Sequence, residues 1–205
     1  MKAKKAIQII FATTIFLLLL LSPLLYYSYS EEHYKTQMQK NNVYETIPEA
    51  DEYATNIIGF LKGQNELKGN YTENEISHMH DVKRLYNAAS IIFYVSILAI
   101  TALILLGIKR KEKKEYYTTP LIKGSIALLA FNLLIILLAT FFFDTLFTAF
   151  HEIFFPMGNW QFPPNKTLIT LLPEQFFINT TQKIFLTSTM LGITTLLTTM
   201  YIRKK

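Results

Sequence analysis

Residues 86–108 read YNAASIIFYVSILAITALILLGI, and residues 109–114 read KRKEKK. The first stretch has no Asp, Glu, Lys or Arg, and its length lies within the roughly 17–25 residues with which an α-helix crosses a bilayer core of about 30 Å. Clustered Lys and Arg beside an apolar segment are typical of its cytoplasmic end. The stretch therefore predicts a membrane-spanning helix that ends in a cytoplasmic loop.

Three more windows lack charged residues, and they are Ala6–Ser30, Gly124–Phe143 and Ile184–Ile202. A soluble core rarely needs four such windows in 205 residues. We therefore predict an all-α membrane protein with a single membrane domain. Its four transmembrane helices are expected at about residues 6–28, 85–108, 121–145 and 182–202.

The placement of the cations predicts the topology. Basic residues also precede the first window and follow the fourth, which puts both termini in the cytoplasm. Two segments then lie outside, an extracellular cap at about residues 31–83 and a second extracellular loop at about residues 146–181. Because this topology explains the net charge of +5, we expect contact with membrane lipid and no nucleic acid.

The composition narrows the chemistry. No cysteine is present, which excludes disulfides and thiol nucleophiles. The sequence contains neither G-x-S-x-G nor H-E-x-x-H, so we predict no serine hydrolase, no metal site and no cofactor. A metal-dependent membrane hydrolase and a non-enzymatic accessory or sensor protein remain open as alternatives.

The first outer segment contains two predicted helix starts. Residues 46–63 read TIPEADEYATNIIGFLKG, with apolar positions at helical spacing, Thr46 as a possible cap and Gly63 as a stop. Thr72 and Glu75 then form a capping box, from which a helix can run on into the second transmembrane helix.

All four histidines fall in the predicted outer segments. His78 precedes the second apolar window and His151 follows the third, so the two can meet at one membrane depth. Asp81 lies three residues after His78 on the same helical face, where it can orient the imidazole. His80 points away from His78 on a helix. We expect solvent or headgroup contact for His80 and for His33, which lies in the polar run EEHYK.

His151 lies in an aromatic stretch, FHEIFFPMGNWQF, at residues 150–162. If the third helix continues through this histidine, Asp144 shares its face at about 10 Å along the axis. That distance is too long for direct contact, so Asp144 is assigned a supporting position. An ionisable group at membrane depth is a functional candidate.

Three motifs resemble the bacterial lipoprotein intramolecular transacylase (Lit) family. They are F-H-x-x-F-F followed by W-x-F at residues 150–162, LITLLPEQFF at Leu168–Phe177, and EISHMHDVK at Glu75–Lys83. The resemblance implies an acyltransferase with two catalytic histidines, and the motifs match His78 and His151. It covers most of the chain, including a cap and four helices.

The resemblance also implies the substrate, a diacylated bacterial lipoprotein in the cell membrane. The sn-2 acyl chain of its S-diacylglyceryl group would move to the α-amine of the N-terminal cysteine, giving the lyso form. One histidine as base and one as acid or oxyanion donor would suffice. The multi-pass enzyme, expected to be a monomer, would carry its active site at the outer face. Candidate pocket walls that fold the substrate back are Phe147, Phe150, Phe154, Phe155, Trp160 and Phe162.

Overall fold

The protein is described by a computed structural model that covers residues 2–205, with side chains from Ala3 onward. Its helices are α1 (Lys2–Ser28), α2 (Glu31–Lys40), α3 (Ala50–Leu61), α4 (Glu73–Ile108), α5 (Lys113–Phe141), α6 (Phe143–Phe154), α7 (Thr167–Leu171) and α8 (Glu174–Lys204). Helices α1, α4, α5 and α8 are each long and apolar enough to cross a membrane. The predicted all-α membrane fold with four spanning helices is confirmed.

The chain divides into two compact units. The first unit contains the residues up to Leu24, Ala89–Ile136 and Ile184–Lys205, and the second contains Leu25–Ala88 and Leu137–Lys183. The first unit presents large apolar side chains outward, such as Leu98 at 70% exposure and Leu197 at 61%. Such a surface is suited to lipid, since soluble proteins rarely expose large continuous apolar patches.

Small and polar residues join the helices of the first unit. The buried Asn132 of α5 donates hydrogen bonds from Nδ2 to Ser188 Oγ at 3.0 Å and to Thr189 Oγ1 at 3.2 Å, both on α8. A Cβ added at Gly124 would lie 2.6 Å from the carbonyl oxygen of Ala12. Helices in lipid associate through such close packing and interhelical hydrogen bonds, because lipid removes the hydrophobic drive between them.

The second unit has an apolar core formed by the short helices. Met38 of α2, Ile57 and Phe60 of α3 and Leu171 of α7 are all nearly or fully buried in it. Helix α3 ends at Leu61, and the predicted stop residue Gly63 follows two positions later with a φ of 74°, which suits glycine. The amide of Gln64 then bonds the carbonyl of Gly59 at 2.9 Å, which closes the last turn.

The predicted start of α3 is wrong. Thr46 does not cap this helix, which begins at Ala50 and shows no side-chain cap bond at Glu49. A 3-10 turn at Val43–Glu45 precedes it instead, and the amide of Thr46 bonds the carbonyl of Val43 at 3.1 Å. Thr46 therefore ends the 3-10 turn and does not start α3.

The long apolar helix α5 ends one residue before α6 begins. Phe142 lies between them with φ −141° and ψ 41°, which interrupts the helical backbone. The third transmembrane helix therefore does not continue through Asp144 and His151. Both belong to α6, a separate helix of 12 residues, which carries His151 in its last turn.

Candidate active site

Two imidazole rings lie face to face in the second unit. His78 comes from the second turn of α4 and His151 from the last turn of α6. Their ring centroids are 5.9 Å apart, and the ring planes differ by 26°. Each histidine is 9% exposed. At this distance a single reacting group could contact both rings.

The His151 ring has a defined tautomer. Its Nδ1 lies 2.7 Å from the carbonyl oxygen of Phe147, one turn earlier on α6. A carbonyl only accepts, so Nδ1 carries the hydrogen and donates it, which leaves the Nε2 lone pair free in the neutral ring. Burial lowers the pKa of His151 below its ordinary value of 6.5, and the bond to Phe147 raises it in part. This histidine is therefore suited to accept a proton at neutral pH.

His78 is held by aromatic rings rather than by a hydrogen bond on its inner nitrogen. Its ring centroid lies 4.7 Å from that of Phe155 and 5.6 Å from that of Phe162, both in edge-on geometry. Within residues 2–205, its buried Nδ1 has no hydrogen-bond partner. An unpaired buried nitrogen is costly in a structural histidine, and this cost is consistent with a functional site.

Aromatic side chains enclose His151 on several sides. Ring centroids lie 4.0 Å away for Phe147, 4.7 Å for Trp160, and 5.4 Å for both Phe150 and Phe155. An enclosure of this kind reduces contact with water and strengthens electrostatic interactions within it.

The six aromatic residues predicted as pocket walls do not contribute equally. Phe154 packs on Phe150 with a centroid distance of 4.9 Å and is itself 49% exposed, so it forms an outer layer. Phe177, at the start of α8, is a further wall that the predicted set lacks, and it packs on Phe147 at 5.7 Å. It lies in the motif LITLLPEQFF, and no spacing rule connects that motif with α6.

Asp81 does not hydrogen bond to His78. Its Oδ1 pairs with Arg84, and its Oδ2 accepts a hydrogen bond of 2.8 Å from Asn159 Nδ2. The predicted spacing of three residues does bring the carboxylate to the same side of α4 as His78, but both oxygens have other partners. Any effect of Asp81 on His78 is therefore through charge or through Asn159.

Asp144 is exposed in the first turn of α6. It lies seven residues before His151 in the same helix, which corresponds to about 10 Å along the axis. The geometry agrees with the distance argued from the sequence and provides no direct contact.

Glu75 has a larger role than the sequence indicated. It is completely buried, and its Oε2 accepts hydrogen bonds from the amide of Thr72 at 2.7 Å and the hydroxyl of Thr72 at 2.8 Å. The predicted capping box is confirmed. In addition, Glu75 Oε1 accepts from the amide of Leu168 at 2.8 Å. This bond connects α7 to the first turn of α4, directly before the turn that carries His78, and no local motif could have revealed it.

The two remaining histidines differ. His80 is exposed and packs edge-on against Phe60 at 5.2 Å, in agreement with the expected surface position. The expectation for His33 is wrong, since this side chain is 4% exposed and its Nε2 lies 2.9 Å from Thr180 Oγ1. Ser30 caps α2, and the helix turns His33 inward with Tyr34 and its buried neighbours. Burial, together with the charge of Lys183, lowers the pKa of His33 to about 4.

Comparison with known families gives a match over most of the chain. The sequence matches the family model of the lipoprotein intramolecular transacylase Lit over residues 7–177. A protein of Aquifex aeolicus (strain VF5), described as an uncharacterized protein, is 27% identical over 129 residues. This alignment covers 62% of the chain and 56% of that protein, so the chain spans about half the length of that relative.

Solved structures share the fold. The in meso structure of the membrane integral lipoprotein intramolecular transacylase Lit from Bacillus cereus superposes with a TM-score of 0.88 at 21% identity, covering 99% of this chain and 97% of that chain. A structure of the same Bacillus cereus protein with one histidine replaced by alanine gives a TM-score of 0.81 at 20% identity, covering 99% and 94%.

Proposed function

Because the chain belongs to the lipoprotein intramolecular transacylase (Lit) family, a family of membrane acyltransferases, we propose that it converts diacylated lipoproteins into their lyso form. The sn-2 acyl chain of the S-diacylglyceryl group moves to the α-amine of the N-terminal cysteine. The observation that carries this proposal is the pair of buried imidazoles, 5.9 Å apart within an aromatic enclosure. The prediction of an acyltransferase family is confirmed.

The reaction balances without a protein nucleophile. The amine nitrogen attacks the ester carbonyl carbon, a C–N bond forms, and the bond from that carbon to the glyceryl oxygen breaks. The nitrogen loses one proton, and the departing oxygen gains one. An imidazole that takes the first proton and returns it to the oxygen serves both steps.

The tautomers support a division of roles. His151 is the base in this proposal, because Phe147 uses its Nδ1–H and the Nε2 lone pair is left to accept. His78 then donates an N–H to the carbonyl oxygen as negative charge develops there. A donor aimed at that charge in a site with little water is typically worth about 2.7–4 kcal/mol of transition-state stabilisation.

The aromatic enclosure has a physical task in this reaction. The transition state closes a ring through the amine, the cysteine carbons, sulphur, two glyceryl carbons, the ester oxygen and the acyl carbon. Folding a flexible lipid into this ring costs entropy, and a confining pocket can recover part of the roughly 7–11 kcal/mol available from proximity. Phe147 and Trp160 are the walls nearest His151.

The cations support a location for the site. Lys and Arg cluster at the start of α1, after α4 and at the end of α8, and the positive-inside rule assigns these ends to the cytoplasm. In this proposal the histidine pair works at the outer face, where exported lipoproteins are anchored. The partners are the diacylated lipoprotein and the surrounding lipid, and the enzyme acts as a monomer.

Expression of the wild-type chain in bacteria that lack a lipoprotein transacylase should produce the lyso form of a reporter lipoprotein. Because the transfer is an isomerisation, the total mass of the reporter stays constant. Fragment spectra must therefore locate one acyl chain on the cysteine nitrogen. Cells with the empty vector provide the control. A reporter that keeps both acyl chains on the glyceryl group, despite membrane expression of the protein, would contradict the proposed function.

The pH dependence of the free enzyme should report a depressed His151 pKa. Since burial lowers this pKa below 6.5, the ring stays neutral at pH 7 and gains its proton only as the pH falls further. Trp160 is the only tryptophan and its ring lies 4.7 Å from His151. A protonated imidazole quenches a neighbouring indole more strongly than a neutral one, so fluorescence should fall with a midpoint below 6.5.

The substrate amine titrates separately, with an ordinary pKa of about 7.7–8.0. Between about pH 6.5 and 7.5, log kcat/KM should therefore rise with a slope near one, from the amine alone. The His151→Asn variant should lose the fluorescence transition. A midpoint at or above 6.5, or a transition that survives this substitution, would show that His151 does not have the depressed pKa.

A further inference from the structure

One amide side chain joins the loop after α6 to the helix that carries His78. Asn159 Nδ2 donates hydrogen bonds to Ser77 Oγ at 3.1 Å and to Asp81 Oδ2 at 2.8 Å. Ser77 and Asp81 are four residues apart, so they lie on one face of α4, one turn from each other. Asn159 therefore spans the turn of α4 that contains His78.

The same loop reaches the other histidine through the next residue. Trp160 packs on the His151 ring with a centroid distance of 4.7 Å. Two consecutive residues thus contact the two helices that carry the histidines. Asn159 contacts α4, and Trp160 contacts the His151 imidazole on α6. Because consecutive Cα atoms are about 3.8 Å apart and the peptide is planar, the position of Asn159 restricts that of Trp160.

The backbone before Asn159 brings the loop to this place. The amide of Gly158 bonds the carbonyl of Phe155 at 3.1 Å, which closes a turn directly after α6. Gly158 has a φ of 72° in a region that favours glycine. The turn changes the direction of the chain, and the Asn159 side chain, directly after the turn, hydrogen bonds to α4.

The hydrogen bonds determine which way the amide faces. Its two N–H groups point to a hydroxyl and a carboxylate, while its Oδ1 is buried and has no hydrogen-bond partner within residues 2–205. The flipped orientation would put Oδ1 against the Asp81 carboxylate, which cannot donate when ionised. The bond to a charged acceptor is worth more than one to a neutral acceptor, so this contact is the stronger of the two.

On these observations we propose that Asn159 is a positioning residue for the acyl transfer proposed above, on which this inference rests. It sets the Trp160 indole against His151 and holds the Asp81 carboxylate on the side of α4 that carries His78. Asn159 does not contact the reacting atoms. Its loss should therefore lower kcat through misplaced groups and leave the KM for lipoprotein nearly unchanged.

The test uses a substitution of nearly the same shape. Asn159→Asp places a carboxylate opposite the Asp81 carboxylate, which should expel the loop from α4. We expect kcat to fall about 10- to 100-fold, as for a displacement of about 1 Å in an active site, with KM within about twofold. Trp160 emission should change because the indole leaves the His151 ring. Asn165→Ala, an exposed position in the same loop, is the matched control and should leave emission and kcat unchanged.

A polarity swap makes the test independent of folding defects. Asp81→Asn combined with Asn159→Asp restores an amide and a carboxylate in exchanged positions. The double variant should recover the Trp160 emission of the wild type and at least part of kcat. Should Asn159→Asp fail to fold, Asn159→Ala and the double variant decide in its place. Wild-type emission and kcat in Asn159→Ala, or no recovery in the swap, would overturn the proposal.

The outcome is separable from the proposed function. Trp160 emission and its quenching by His151 are measured on the purified protein without substrate. If the wild type shows no transacylase activity, the proposed reaction fails, whereas the fluorescence of the same variants still decides whether Asn159 positions Trp160. If activity is present but substitution of Asn159 changes neither the emission nor kcat, only the positioning role fails.

Discussion

His151→Asn and His78→Ala enzymes should produce no detectable lyso-form lipoprotein in cells that otherwise lack the activity. A positioned base typically contributes about 10²- to 10⁴-fold to the rate, and a donor to the developing oxyanion about 10²- to 10³-fold. Each of these variants removes one of the two groups. Asparagine is preferred at position 151 because its Nδ2 can still donate to the Phe147 carbonyl, which His151 Nδ1 bonds at 2.7 Å. The anchor is retained, and the basic nitrogen is removed.

The chain offers a matched control for this experiment. His80→Asn changes an exposed histidine that lies two residues from His78 on the same helix and packs on Phe60. This variant should keep full activity. Fragment spectra of a reporter lipoprotein measure the product, and immunoblots of membranes verify equal expression. Full activity in either of the first two variants would refute catalysis by the histidine pair.

Glu75→Ala should lower the free energy of unfolding by about 3 kcal/mol, the sum of a lost helix cap and an unsatisfied buried amide. The carboxylate is fully buried and accepts from the Thr72 amide, the Thr72 hydroxyl and the Leu168 amide. Leu168 is buried, so water has little access to its amide as a replacement acceptor. Thermal unfolding in detergent should show the loss as a lower Tm.

Two further variants isolate the hydrogen bonds of Glu75. Glu73→Ala removes an exposed carboxylate from the same first turn of α4 and should change the Tm little. Glu75→Gln keeps one acceptor oxygen but adds an amide that must face one of the donors, so its Tm should lie between those of Glu75→Ala and the wild type. Equal Tm values for Glu75→Ala and Glu73→Ala would contradict the assigned role.

Local sequence patterns predict those features of the fold that depend on residues close together in the chain. The four charge-free windows correspond to helices that can span a membrane, because bilayer thickness imposes a length and a composition on each segment. The Thr72–Glu75 pair starts α4, and Gly63 follows two positions after the end of α3, since caps and stops involve residues only a few positions apart. The prediction fails at Thr46, because the amide of this residue bonds within the preceding 3-10 turn and its side chain does not cap α3.

The hydrogen-bond partners of the polar side chains could be identified only from the tertiary structure. The 3-residue spacing suggested that Asp81 orients His78, whereas Asp81 Oδ2 accepts from Asn159, 78 positions away. His33 appeared solvated within EEHYK but is buried against Thr180. Buried donors and acceptors must find partners wherever the packed chain supplies them, and sequence spacing contains no information on contacts of that range.

The sequence by itself determined the membrane class, the four spanning helices and the clustering of histidines in the two predicted outer segments, because hydrophobicity and charge act locally along the chain. The tertiary structure alone decided that the rings of His78 and His151 stack at 5.9 Å while His33 and His80 lie elsewhere. That choice depends on the packing of α4, α6 and the loop between α6 and α7. Shape complementarity and hydrogen-bond satisfaction, rather than periodicity, bring these distant residues together.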